Sequence, residues 1–317
     1  MPDTPSVSSQ PVPRFPPALS LGLGLLAISA ASLLIRFAQK DGVASLTIAA
    51  YRLTIASLFL LPLALSRHHA ELRALARREW LLTGLSGAFL GLHFGLWINS
   101  LAYTTVASSV VLTSSAPIFV ALISAVVWRE KLPRPLAAGM AAAMVGGVVV
   151  GLSDMCTLRG CPPLKEFLQG QAFLGDTLAL AGAVALAGYY SLGRSLRTSM
   201  ALVPYSFLSY GAAALVLGLA VLIARAPVAG FAPRAYVWFL LLALIPQLVG
   251  YTALNWALKY LPATYVSVTV LGEPIGATVL AVLLLQEIPS TLKLIGSALI
   301  LAGILVASRR ATQTAPD

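Results

Sequence analysis

Ten runs of mostly apolar residues dominate this sequence, at about 17–38, 44–65, 80–101, 105–128, 134–153, 171–193, 203–224, 234–258, 263–286 and 290–308. A helix needs roughly 20 such residues to cross the hydrocarbon core of a bilayer. Hydrocarbon offers no water to a backbone N–H or C=O, so a lipid-facing run must satisfy its own backbone, and a helix does this within one segment. A soluble alternative fails on composition. Only 10% of the 317 residues are charged and 58% are hydrophobic, against about 25% charged in soluble domains. Too little polar surface remains for a water-facing exterior. The expected fold class is an all-α integral membrane protein with ten transmembrane helices.

The net charge of +10 does not indicate a nucleic-acid partner, because most Lys and Arg residues lie in the short breaks between apolar runs. There they report orientation through the positive-inside bias. With the N-terminus in the cytoplasm, 13 Lys and Arg residues fall on the inner side and 7 on the outer, Arg52 lying within a span. Both termini are therefore expected inside, and the loop "DMCTLRGCPP" outside. Cys156 and Cys161 in that loop have no histidine partners at ligand spacing, which argues against zinc. Their four intervening residues leave slack to bring the Cα atoms within about 7 Å, so they are a candidate disulfide if the loop meets an oxidising compartment. Residues 1–16, rich in Pro and Ser, and 309–317 are expected to be disordered tails; the first apolar run lacks a clear cleavage pattern and is not a signal peptide.

The chain also repeats itself. One constant offset lays Tyr103 on Tyr260, Pro117 on Pro274, Glu130 on Glu287, Gly139 on Gly296 and Gly146 on Gly303. The halves implied are 17–153 and 171–308, joined by the 154–170 linker. Five spans per half is an odd number, so the second half must enter the membrane from the opposite side. Such inverted repeats are common in secondary transporters. "WREKLP" keeps two basic residues on the expected inner side, whereas its counterpart "LQEIPS" keeps only the Glu.

The stretches "SSAPIFVALISAVVWREKLP" (114–133), "LGEPIGATVLAVLLLQEIP" (271–289) and "AAYRLTIASL" (49–58) resemble the drug/metabolite transporter superfamily, EamA type. The resemblance covers nearly the whole chain apart from the tails. It implies a ten-helix bundle with a central cavity, alternating access, and small metabolites or drugs as cargo. Amino acids and related compounds moved outward are the expected case. One departure is evident: the first-half position matching Glu273 is Ala116, so that carboxylate is no part of the repeat.

Glu273 sits near mid-depth of its span, where an ionised side chain costs about 2.5–3.5 kcal/mol on insertion scales. It is either an ion pair or hydrogen bond that fixes helix packing, or a cavity residue. Pro274 beside it removes a backbone donor and loosens the helix, and broken helices near the midplane are where transporters place binding sites. His93, Trp97 and Asn99 lie within the third span, His93 on a face other than that of Gly87, Gly91 and Gly95. Tyr251 and Asn255 occupy the eighth span, opposite the His93–Asn99 segment under the repeat. The candidate substrate-binding set is therefore Glu273, His93, Trp97, Asn99, Tyr251 and Asn255, with packing as the competing role of each. Arg52 is expected to snorkel or to pair with a carboxylate, as a structural residue.

The expected function is a secondary transporter in the inner (plasma) membrane, driven by an ion gradient or exchange, with protons a candidate. Catalytic motifs, an ATP-binding loop, metal clusters and cofactor sites do not appear in the sequence. The alternatives are an intramembrane enzyme, for which Glu273 and His93 are the only paired candidates, and a non-transporting scaffold or sensor.

Overall fold

The computed structural model describes residues 16–127, 134–153 and 170–308. Cys156, Cys161 and Glu130 lie outside the described residues, as do the tails 1–15 and 309–317. Among the described residues the ordered segments are helical, with no strand. They are α1 (Pro17–Ser29), α2 (Ala31–Lys40), α3 (Ser45–Arg67), α4 (His69–Ala74), α5 (Arg77–Ser100), α6 (Val106–Thr113), α7 (Ala116–Val127) and α8 (Arg134–Ser153). After the linker come α9 (Gln171–Arg197), α10 (Leu202–Ile223), α11 (Pro233–Leu242), α12 (Thr252–Ala257), α13 (Ala263–Thr269), α14 (Glu273–Leu285) and α15 (Thr291–Ser308).

Seven helical stretches in this set, some of them broken by a short turn, are long and apolar enough to cross a membrane: Leu19–Lys40, Ser45–Arg67, Arg77–Ser100, Val106–Val127, Gln171–Arg197, Leu202–Ile223 and Pro233–Ala257. The remaining apolar runs of the sequence are occupied by α8, α13–α14 and α15.

The polarity is inside out relative to a soluble protein. Leu26, Val126, Leu215 and Leu222 are largely exposed, while Ser86, Ser109, Gln247 and Asn255 are fully buried. With an apolar solvent on the outside, the exterior leucines have no reason to turn inward, and polar groups find partners only in the interior.

Besides the one-residue turn at Ala30 between α1 and α2, three interruptions shape the bundle among the described residues. α6 ends in a turn at Ser114–Ser115, and α7 restarts at Ala116 with Pro117 in its first turn. α13 ends in a 3₁₀ turn, Val270–Gly272, and α14 restarts at Glu273 with Pro274 in its first turn. A proline is tolerated in the first turn because that N–H would be unpaired anyway. The two breaks fall at matching positions of the repeat. The third interruption is a π-helical segment, Ala243–Tyr251, wound around Pro246.

Packing joins the halves in matching pairs. α3 packs on α10 and α8 on α15, each with its own counterpart, while α5 on α9 is mirrored by α11–α12 and the π segment on α1–α2. Small residues permit these crossings, as is usual between membrane helices. A Cβ on Gly146 would lie 2.6 Å from the Gly296 carbonyl oxygen. A Cβ on Gly87 would lie 2.5 Å from the Ser209 carbonyl oxygen, so α5 and α10 touch backbone to backbone there.

Candidate functional site

The two proline-marked breaks meet at one cavity. Ser114, Ala116 and Pro117 line it from the first half, Val270 and Glu273 from the second. α5 contributes His93 and Trp97, α9 contributes Tyr190, and the end of the π segment contributes Tyr251. The cavity is narrow: about 10 Å³ admits the centre of a water-sized sphere, room for about one water. An organic solute would have to widen it.

His93 has its hydrogen bonds satisfied. Its Nδ1 lies 3.0 Å from the Gly182 carbonyl oxygen, which can only accept, so Nδ1 carries the proton. Nε2, 3.0 Å from the Tyr251 hydroxyl, then accepts from it in the neutral ring. The imidazole stacks on Trp97 with ring centroids 5.8 Å apart and planes 7° from parallel. His93 thus holds Tyr251 and Trp97 in place.

Glu273 is half-buried. Neither carboxylate oxygen has a hydrogen-bond donor among the described residues, and the ion pairs found there, Arg36–Glu287, His68–Glu71 and Arg234–Asp41, do not include it. Arg52 interacts with Glu273 electrostatically without closing on it.

Arg52 neither snorkels nor closes a salt bridge, contrary to the sequence-based expectation. It is 0% exposed. Its Nε donates to Gln247 Oε1 at 2.8 Å, the guanidinium carbon sits 4.1 Å over the Phe94 ring and 5.5 Å from the Tyr251 ring, and both Nη1 and Nη2 lack a partner. The physical reason is the neighbourhood: the adjacent rings of Phe94 and Tyr251 lie within cation–π range of the charge, and Gln247 in the π segment fixes Nε. Trp97 Nε1 and Tyr190 Oη are also buried without partners. Since nearly all buried polar groups in folded proteins find a partner, the open donors of Trp97 and Tyr190 on the cavity wall and of Arg52 next to Tyr251 need an explanation.

Of the residues singled out from the sequence, His93, Trp97, Tyr251 and Glu273 come together here. Asn255 does not line the cavity. Its Oδ1 accepts from Tyr189 at 2.7 Å and its Nδ2 donates toward Ser206 and Tyr210 at 3.3 and 3.2 Å. That saturates the amide within a buried tyrosine network. Asn99 is half-buried near the end of α5 and is not on the cavity wall. Arg52 and Gln247 were not placed in the site by sequence; the available signal was two polar side chains in the middle of apolar runs.

A second polar cluster ties four segments together away from the cavity. Arg36 donates to the Thr104 carbonyl at 3.0 Å and to Glu287 Oε1 at 3.2 Å, while Glu287 Oε2 accepts from the Val106 N–H at 3.0 Å. In the other half Arg194 donates to the Leu261 carbonyl at 2.8 Å, the position matching Thr104 under the repeat. Among the described residues there is no group of three or more His, Cys, Asp or Glu placed to hold a metal ion.

Comparison with known proteins gives the same architecture an independent footing. A solved crystal structure matches 94% of this chain and 99% of its own with a TM-score of 0.67 at 20% identity, which bears on the fold alone. A protein of Streptantibioticus cattleyicolor named "Probable terminal-alkyne amino-acid exporter" is 26% identical over 281 residues, covering 85% of each chain. The model of the EamA-like transporter family matches twice, over residues 17–152 and 173–309. The double match spans most of a multi-pass membrane chain whose halves meet at one cavity, and the chain belongs to the EamA-like transporter family.

Proposed function

We propose that this protein is a secondary transporter that exports a small organic metabolite, an amino acid or a related compound, by alternating access. The family is one of transporters, and the similar chain named above carries an amino-acid exporter's name. The observation that carries the reading is the cavity at the two matching helix breaks, walled by both halves and holding an unpaired carboxylate. Discontinuous helices leave backbone and side-chain polar groups free for cargo where a continuous helix could not.

In this reading the ten helical runs span the plasma membrane as two inverted repeats, 17–153 and 171–308, with both termini cytoplasmic. Rocking of one half against the other about the cavity exposes it to each side in turn. Glu273, Trp97 and Tyr251 contact cargo, with His93 positioning the two rings. Protons are the candidate coupling ion.

The test is substrate-dependent flux in proteoliposomes, screened with a metabolite mixture. Solute movement above protein-free vesicles is expected, and its absence across the mixture with folded protein present overturns the proposal. If Glu273 exchanges protons, flux depends on pH in the wild type and not in Glu273→Gln. Unchanged pH dependence in that variant removes the coupling role.

A further inference from the structure

One end of the bundle carries a cluster of basic side chains that the fold itself does not use. α3 ends at Arg67 and α5 begins at Arg77, and the two helices pack together, so both termini lie at the same end. Between them α4 carries Arg73, and Arg78 follows Arg77. All four arginines are exposed, and none has an ion-pair partner among the described residues. The two carboxylates of the same stretch are engaged elsewhere. Glu71 accepts from the Ala201 N–H at 2.6 Å and lies 3.2 Å from His68 Nδ1. Glu79 accepts from the Ala76 N–H at 2.9 Å, capping the start of α5, and from the Ser199 hydroxyl at 3.5 Å. The guanidinium charges of residues 67–78 are thus left unanswered by the protein.

Their depth follows from the helix faces beside them. Leu65 on α3 and Trp80 and Leu81 on α5 are exposed apolar side chains on spans of membrane length. Trp80 and Leu81 stand three and four residues after Arg77, on its face of α5 and about one turn deeper. Tryptophan collects where hydrocarbon meets headgroups, which puts the arginines one turn further out, among the phosphates. We infer that, whatever the cargo, this α3–α5 turn is a binding surface for anionic phospholipid headgroups, its guanidinium groups donating in parallel pairs to phosphate oxygens. The net charge of the headgroup decides the class. A zwitterionic headgroup brings its own ammonium to the same arginines. An anionic one leaves its phosphate uncompensated, and a basic cluster at the end of a span is drawn to it.

Purified full-length protein, stripped of lipid in detergent, is titrated with phosphatidylglycerol or with phosphatidylcholine of the same acyl chains, and bound lipid is counted by native mass spectrometry. Phosphatidylglycerol should bind at least about tenfold more tightly, since each basic residue at the surface adds to the attraction. The combined variant Arg73→Gln/Arg77→Gln/Arg78→Gln should lose most of that preference. Lys40→Gln/Arg225→Gln, which removes two exposed charges at the opposite end of α3, should keep it. Equal binding of the two lipids by the wild type overturns the assignment. So does a combined variant that keeps the preference, or a loss of the same size in Lys40→Gln/Arg225→Gln. Inorganic phosphate at the concentration of the lipid should not displace phosphatidylglycerol; displacement there would mark a site for free anions and overturn the lipid assignment. Should the combined variant not fold, Arg73→Gln and Arg78→Gln made singly decide by the same criterion, each lowering the preference.

Discussion

At the scale of single residues, Arg52 and Glu273 are the expensive ones. Arg52 is fully buried at mid-span and Glu273 faces the cavity, and neither is matched by a close ion pair among the described residues. Their neighbours illustrate how much a single hydroxyl can organise. The Tyr251 O–H donates to His93 Nε2 at 3.0 Å, and His93 in turn lies flat against Trp97. Tyr251→Phe removes the donor and leaves a buried imidazole nitrogen unpaired. The expected loss is about 1–3 kcal/mol, the cost of an unsatisfied buried polar group. A lowered thermal unfolding midpoint of the detergent-solubilised protein checks this, and an unchanged midpoint would show that the hydroxyl does not hold His93.

At the scale of helices, the close crossings carry the specificity of packing. Gly84 and Gly87 lie on the same helix, α5, one turn apart, and have opposite surroundings. A Cβ at Gly84 meets nothing within 4 Å, whereas at Gly87 it meets the Ala212 Cβ and the Ser209 carbonyl oxygen, both at 2.5 Å. Gly87→Ala must push α5 and α10 apart, with an expected cost of about 1–3 kcal/mol, while Gly84→Ala should leave stability unchanged. Thermal melts of the two variants beside the wild type test the pair; equal melting of all three would refute the backbone-to-backbone crossing of α5 and α10. The sequence made the glycine face visible through its spacing of four. Gly87, Gly91 and Gly95 on that face all meet α10, and Gly84, outside the spacing, meets nothing within 4 Å; the sequence gave no sign of which helix they meet, because that depends on the packing of the bundle. The same holds for the helix breaks: Pro117 and Pro274 marked where they lie, but not that they come together.

At the scale of the whole molecule, orientation is the open consequence of the charge pattern. A cytoplasmic reporter fused after Arg78 should be active and one after Arg159 silent, with an external reporter giving the converse; the opposite pair of results would invert the proposed topology. What the sequence determined by itself was the class of fold, because apolar runs of membrane length admit few structures besides helices, and the repeat, because matched Pro, Glu and Gly at one offset outlast divergence of the apolar filler. It also brought four cavity residues to attention, His93, Trp97, Tyr251 and Glu273, since polar and aromatic groups stand out against an apolar background. Only the tertiary structure decided that Asn255 is spent in a tyrosine network, that Asn99 lies off the wall, and that Arg52 is anchored by Nε with its fork open. Those outcomes depend on which groups from distant segments arrive within about 3 Å, the range of a hydrogen bond. Spacing along one helix fixes the face on which a residue lies, and the partner that meets it there is set by the packing of all the others.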